Sequence, residues 1–450
     1  MESKACLGLL YTNGKFLPEF KADLRKDLLG HTAALCVIIS GVLAGALVLT
    51  RLAGRLRVPD ILWFMLLGLA LGPFGLNLVS GESLMGQDHV LLLGAVFLVL
   101  YEAGVGTRLA LLKKHALAVG LLVTVGLLLT TGMLAASAHF LLGYTLPQGL
   151  LLGAILSTTD PASILPILRR LSLPPRVVET LVAESAIGDV TGSLLALFLL
   201  SWVSSPPLGG VLDMGGTFLV SIVGAIAGGL ALGRLFVLLT RHPKWGVFRR
   251  SVPVFLVAVL LGGFGLSLLF HLQTLLLGYL LGVAAGQSRR EESELSLAPA
   301  LAPGPSGVRM GDFEMMNDLL VYLATFFIFL VMGTLIPHSG SGFALTGTLL
   351  FLGSLILIVR PAVVFSLVPL DRISRFSRQE MGFMATVRET GIMAGALLGL
   401  VHGELPASAS TVVFSVVVGT IAVGALIAAP AARMLGLEID PPAQQSLSPR

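Results

Sequence analysis

Charge is what this 450-residue chain has least of: 12% of its residues are Asp, Glu, Lys or Arg, about half of the roughly 25% usual in a soluble domain. That scarcity excludes a surface made for water on all sides. Cysteine is nearly absent as well. Cys6 and Cys36 stand in no metal-ligand spacing, so both read as free structural thiols, and neither a disulfide framework nor a zinc site is expected. No cluster of His and Cys points to a transition metal. Residues 1–31 are polar and lack the apolar centre and small-residue cleavage site of a secretory signal, so they read as an interfacial lead-in. No stretch has the composition of a soluble nucleotide-binding or regulatory domain. The net charge of +4 comes mostly from basic loops and is no sign of nucleic-acid binding. No cofactor is expected.

What fills the chain instead is apolar sequence, 55% of all residues. It falls in runs at 32–50, 58–79, 89–107, 115–142, 148–168, 177–203, 214–240, 248–270, 272–287, 316–337, 343–368, 379–402 and 409–435. Runs of about 18 residues or more cannot all be core helices of a soluble protein. The expectation is an all-α polytopic membrane protein of about 13 transmembrane helices, with lipid as its surroundings. The 53 glycines suit close helix packing in lipid. Helices 1–9 occupy 32–287 and helices 10–13 occupy 313–435. Between them, 288–312 begins with Arg289-Arg290-Glu291-Glu292 and turns rich in Pro, Ala and Gly, which reads as a flexible cytoplasmic linker. Residues 436–450 read as a short tail.

Basic residues follow the odd-numbered runs: Arg51, Arg55 and Arg57; Arg108, Lys113 and Lys114; Arg169, Arg170 and Arg176; Arg241, Lys244, Arg249 and Arg250; Arg289 and Arg290; Arg372, Arg375 and Arg378. The intervening loops 142–148 and 204–214 contain no Lys or Arg. Under the positive-inside rule the odd helices end in the cytoplasm, which puts the C-terminus inside and the N-terminus outside a plasma (inner) membrane. Lys4, Lys15, Lys21, Arg25 and Lys26 of the lead-in run against that bias.

Two polar interruptions sit in matching places of the two halves, Thr158-Thr159-Asp160-Pro161 in the fifth run and Thr386-Val387-Arg388-Glu389-Thr390-Gly391 in the twelfth. Proline lacks an N–H and clashes with the preceding turn, so carbonyls near Thr158 and Thr159 lose their helical partners. Matched interruptions point to inverted repeats, segments 1–6 and 8–13, with an ion site near the midplane. In the sixth run Ser185 and Asp189 are four apart, hence on one helical face, whereas Glu184 lies about 140° round from Asp189. Freed carbonyls together with Asp160, Ser185 and Asp189 are hard oxygen donors suited to a monovalent cation. A carboxylate in a partly dry cavity can hold either a proton or a cation, and competition between the two is an exchange mechanism. Each residue also has a structural alternative. Asp160 could cap the second half-helix with Pro161 at its first position, and Asp189 could belong to a structural ion pair. Glu184 reads more readily as the partner of Arg360 or Arg388, the two mid-membrane arginines. Glu102 could line the cavity or sit at the helix end, and Glu389 is a further intramembrane acid; either could be an extra carrier. His271 and His338 fall in external turns.

Thr159-Asp160-Pro161-Ala162, Glu184-Ser185 with Asp189 four further on, Arg360-Pro361 and the helix around Arg388 together resemble the monovalent cation–proton antiporter superfamily, which includes the sodium/proton exchangers. The resemblance spans roughly 32–435. It implies a homodimer with a dimerisation portion and a mobile core, and crossing, unwound fifth and twelfth helices. By position Asp189 resembles the ion- and proton-carrying aspartate, Asp160, Ser185 and the Thr159 carbonyl its companions, and Arg360, Arg388 and Glu184 the charges that hold the core helices. Two features depart from the family. Gly188 stands where the electroneutral branch has Asn and the electrogenic branch a second Asp, and 319–336 lacks the lysine of electrogenic relatives. One titratable aspartate implies one proton per cation, and Glu389 would add a second charge.

The function expected is secondary exchange of protons for Na⁺ or K⁺, not catalysis. A cation channel is the alternative, which matched interruptions disfavour and which a saturable, proton-coupled flux would separate. An intramembrane aspartyl protease would need two carboxylates sharing a proton; Asp160 and Asp189 could formally serve, but no second protease element is present. The loop charges generate a topology test. In a cysteine-free background, a cysteine at Ser205 should react with an impermeant thiol reagent from outside and one at Ser293 only from inside; equal labelling of both would defeat the orientation.

Overall fold

The computed structural model describes residues 60–79, 81–85, 89–107, 115–159, 173–204, 211–241, 251–295, 310–337 and 345–437, with isolated positions elsewhere. Compactness divides the chain into residues 1–63 and 64–450. In the first unit the described positions, among them 50, 51 and 60–63, are helical. The first apolar run, 32–50, otherwise lies outside the described residues, as does His338.

In chain order the helices are α1 (Asp60–Leu71), α2 (Gly81–Met85), α3 (Val90–Gly106), α4 (Ala116–Leu142), α5 (Leu146–Ser157), α6 (Pro175–Ser204), α7 (Val211–Arg241), α8 (Val252–Leu269), α9 (Thr274–Leu295) and α10 (Met310–Thr334). Then come α11, built from Leu345–Ser354, a π turn at Leu355–Val359 and Arg360–Leu367; α12 (Arg378–Thr386); α13 (Ile392–Val401); and α14 (Ser408–Met434). No strand occurs among the described residues. Among the described residues, seven helices are long and apolar enough to cross a membrane. The segment 288–312 is helical at both ends, since α9 runs through Leu295 and α10 starts at Met310; 296–309 lie outside the described residues. The charged Arg289-Arg290-Glu291-Glu292 stretch contains good helix formers and simply extends the preceding apolar helix.

Local sequence explains where several helices start. Thr145 and Gln148 form a reciprocal capping box at the head of α5, with Pro147 in its first turn, and Ser377 and Glu380 do the same for α12. Such pairs satisfy amide groups that the first turn leaves without carbonyls. In α11 the π turn lies directly before Arg360-Pro361. A proline cannot donate to the preceding turn, and a π turn absorbs an extra residue while re-aiming the side chains beyond it.

Glycine decides how closely helices approach. On α9 a Cβ at Gly282 would overlap the Tyr101 carbonyl of α3, and one at Gly278 would meet the Phe97 ring 2.8 Å away. Gly104 of α3 faces the Tyr279 carbonyl in the same way. In lipid no hydrophobic force drives helices together, so such backbone-to-backbone contact supplies the dispersion that does. A second cluster joins α4, α6, α11, α12 and α14 through Leu122, Leu181, Val364, Phe383, Met384 and Ala428. Val220, Val254 and Leu357 are more than two-thirds exposed, at 72%, 72% and 75%, the expected outward face of lipid-bathed helices.

The α3–α9 contact generates a stability test. Gly282→Ala forces two backbones apart and should cost on the order of 1–3 kcal/mol, seen as a lower thermal midpoint in detergent. Gly132→Ala on α4, with nothing within 4 Å of the new methyl, should be neutral or slightly stabilising; equal effects would refute the packing account.

Candidate functional site

The fifth apolar run stops being helical where its sequence turns polar. α5 ends at Ser157, and Thr158 is extended at φ −66°, ψ 146°. Ser157 and Thr158 fold their hydroxyls back onto the carbonyls of Ala154 and Ile155, at 2.7 and 2.9 Å. The carbonyls of Leu156, Ser157 and Thr159 are thereby released from helical bonding and find other donors. Asp160 and Pro161 lie outside the described residues.

α6 supplies one of those donors. Ser185 Oγ donates to the Thr159 carbonyl at 2.6 Å, which presses the Ser185–Asp189 face of α6 against the end of α5. The approach depends on small residues: a Cβ at Gly192 would come 2.5 Å from the Thr158 methyl, while one at Gly188 would stand 3.6 Å from Thr159 Oγ1. Gly188 therefore leaves room for a side chain that this chain does not use. Asp189 is buried at 3% exposure, and its charge is felt at Tyr279 of α9. The Tyr279 hydroxyl is 3.0 Å from Thr107 Oγ1 at the end of α3.

Glu184, one residue before Ser185, turns to a different partner. Its carboxylate accepts two bonds from the Arg360 guanidinium, at 2.5 and 2.9 Å, while Arg360 Nε donates to the Met384 carbonyl at 3.1 Å. Both side chains are buried, and a two-pronged pair of this kind fixes orientation as well as charge. Arg388 does something the sequence left open. It donates through Nη2 to the carbonyls of Leu156 and Ser157, both at 2.9 Å. It sits in the stretch between α12 and α13, where Val387 is extended. One arginine thus ties α6 to α11 and α12, and the other ties the 387–391 stretch to the end of α5.

Several of these groups line two adjoining cavities, neither of which takes in Asp189. The first is lined by Thr130, Ser157, Thr159, Glu184, Arg360 and Arg388 together with apolar residues of α4. The second takes in Thr159, Ser185, Arg360 and Glu389. Hydroxyl and carboxylate oxygens, the donor type of a hard cation, share the lining with two guanidiniums and with apolar side chains, and no group of three His, Cys, Asp or Glu residues suited to another metal occurs among the described residues.

The remaining candidate acids are placed apart from one another. Glu389 is buried at 1% exposure and lies against α14, so close to Gly424 that any Cβ there would overlap its carboxylate; next to it the Thr390 amide donates to Thr420 Oγ1 at 3.1 Å. Glu102 is half-buried and accepts a hydrogen bond from Asn317 of α10. His271 is exposed in the turn before α9. Sequence reasoning missed the partners of these groups, Asn317, Tyr279, Thr107 and Thr420. It also missed a polar network at the end of the molecule with the basic loops. There His115 reaches Glu179 at 3.2 Å and Ser374 Oγ at 3.1 Å, and Arg176 pairs with Glu380 at 2.6 Å. Only one signal of that network was legible, the Ser377-to-Glu380 capping spacing.

The chain as a whole is similar to known proteins. The sequence pattern of the family described as sodium/hydrogen exchanger, transmembrane, matches residues 42–433. The chain is 31% identical to Na(+)/H(+) antiporter 1 of Methanocaldococcus jannaschii, over 85% of this chain and 90% of that protein. It is 28% identical to the K(+)/H(+) antiporter NhaP of Alkalimonas amylolytica over 74% of its own length, spanning 55% of that relative. The solved structure of the sodium proton antiporter MjNhaP1 from M. jannaschii at pH 8 superposes with a TM-score of 0.64 at 23% identity, covering 90% of this chain and 96% of that one.

The buried pair generates its own test. Glu184→Gln leaves Arg360 buried without its counter-charge, at a cost of roughly 3–5 kcal/mol. Yield or thermal midpoint should fall accordingly, and a wild-type midpoint would show that Glu184 faces a wet cavity.

Proposed function

The chain belongs to the sodium/hydrogen exchanger family, and from that premise we propose that it exchanges protons for a monovalent cation, Na⁺ or K⁺, at the buried carboxylate of Asp189. The observation that carries this reading is the 2.6 Å bond from Ser185 to the Thr159 carbonyl. It holds the Asp189 face of α6 beside backbone oxygens that a helix would have consumed. Relatives described as Na⁺/H⁺ and K⁺/H⁺ antiporters support both cations, whose difference in cavity size the spacing of these residues does not encode.

In this mechanism Thr159 O, Ser185 Oγ, Asp160 and Asp189 share the cation. A proton arriving at Asp189 cancels its charge and releases the ion. Because one carboxylate holds either cargo, the two replace each other one for one and the exchange is electroneutral. Glu184, Arg360 and Arg388 take no cargo; they keep the helices in register while the site opens to one side and then the other. Glu389 and Glu102 are the next acids to test as carriers. The full architecture in this reading is thirteen helices in two inverted repeats, broken at the fifth and twelfth, in a homodimer of the plasma (inner) membrane with its C-terminus cytoplasmic. The end of α5 at Ser157 and the extended residue Val387 between α12 and α13 support it.

In proteoliposomes with an internal pH dye, Asp189→Asn should lose exchange with either cation while the protein still inserts. Asp160→Asn should raise the apparent KM for the cation more than it lowers the maximal rate. Wild-type protein should show KM for the cation rising with proton concentration at an unchanged maximal rate. Proton-coupled exchange persisting in Asp189→Asn would sink the assignment.

A further inference from the structure

The turn between α11 and α12 is built far more rigidly than a connecting loop requires, and it turns basic groups outward. Asp371 Oδ1 accepts the amides of Ile373 and Ser374 at 3.0 and 3.1 Å. Burial by itself would raise the Asp371 carboxyl, but hydrogen bonds from the Ser374 hydroxyl and from the Ser374, Ile373 and Ala118 amides outweigh it and hold the group below the usual carboxylate range. The Ser374 carbonyl accepts from Arg176 at 3.3 Å, and the Arg176 guanidinium lies 6.0 Å over the Phe376 ring. Arg375 is held at φ 46°, a left-handed conformation that arginine adopts only when its surroundings impose it.

The outward face of this turn is peculiar in two respects. Arg372, Arg375 and Arg378 are all exposed, and among the described residues none has an ion-pair partner, whereas Arg176 beside them is neutralised by Glu380. Ile373, between the first two, is 82% exposed, and Leu370, just before them, is 56% exposed. An exposed apolar tip beside guanidiniums that have no ion-pair partner among the described residues is poorly suited to water. The turn directly follows the apolar span Thr346–Leu370, so it lies at the depth where hydrocarbon gives way to headgroups. It contacts the first residues of α4 and α6, at the end of the molecule that carries the basic loops. Taking the chain as the membrane exchanger proposed above, that end faces the leaflet whose anionic lipids attract basic residues.

We propose that Arg372, Arg375 and Arg378 form a binding site for the headgroup phosphate of an anionic phospholipid, with Ile373 seated among the acyl chains beside it. A guanidinium matches a phosphate with two parallel donors, and three of them are exposed within seven residues of one turn whose backbone is already fixed, so little backbone ordering is needed on binding. A lipid held there touches helices that carry Arg360 and Asp189 farther in.

The test places a reporter on the tip. The full chain carrying Ile373→Trp is reconstituted in phosphatidylcholine–phosphatidylglycerol vesicles of one composition, with bromine on the chains of either lipid in turn, and its fluorescence is compared with protein lacking the new tryptophan. Brominated phosphatidylglycerol should quench the reporter more strongly than brominated phosphatidylcholine. Changing Arg372, Arg375 and Arg378 to Gln together should abolish the preference, each arginine being worth roughly fivefold in lipid retention. Dye-monitored exchange on the same vesicles reports separately on the transport reading and confirms that the variant is folded. Equal quenching by both lipids, no quenching by either, or a preference that survives the triple substitution would each overturn the lipid site.

Discussion

The bidentate bond between Glu184 and Arg360 is the constraint from which the rest of the site takes its position. A guanidinium and a carboxylate buried together are costly to bring out of water and far more costly to separate once there. Their meeting therefore determines how α6 lies against α11, and Arg360 Nε extends the same constraint to α12 through the Met384 carbonyl. With α6 anchored one residue before Ser185, the neighbouring hydroxyl has only the Thr159 carbonyl to address, and Asp189 follows one turn further on.

Arg388 completes this logic from the opposite side. Carbonyls released where α5 ends would be unsatisfied in a dry interior, each at a cost of about 1–3 kcal/mol. Arg388 answers two of them and leaves the Thr159 carbonyl to Ser185. Charge from the 387–391 stretch thus stabilises the end of α5, so that two irregular pieces of backbone, far apart in sequence, depend on each other. Irregular backbone within a membrane is tolerable only where protein or a cavity covers it, and here the two stretches cover one another.

Away from the site, packing is managed by absence of side chains. Gly104, Gly278 and Gly282 bring α3 and α9 to backbone contact, which places Tyr279 and Thr107 together near Asp189. Hydrogen bonds to Asp371, Ser374 and Glu380 fix the turn between α11 and α12, so that α11, which bears Arg360, and α12, which leads into Arg388, share a rigid outer support as well as a charged inner one.

Much of this was legible in the residues. Hydropathy marked where most helices run because a span must be continuously apolar. Thr158-Thr159-Asp160-Pro161 marked the end of a helix because proline cannot donate a hydrogen bond. The four-residue spacing of Ser185 and Asp189 placed both on one face, and burial of Arg360 and Arg388 implied an acid for each, which Arg360 finds in Glu184 whereas Arg388 takes carbonyls instead. What the sequence could not choose was the partner. Glu184 could have met either arginine, and the choice of Arg360 over Arg388 depends on how α11 crosses α6. Likewise the extension of α9 to Leu295, the bond between Glu102 and Asn317, and the His115–Glu179–Ser374 network are contacts between segments distant in the chain. Periodicity and spacing describe one helix at a time, whereas such contacts arise only when glycines and π turns set the distance and rotation between helices.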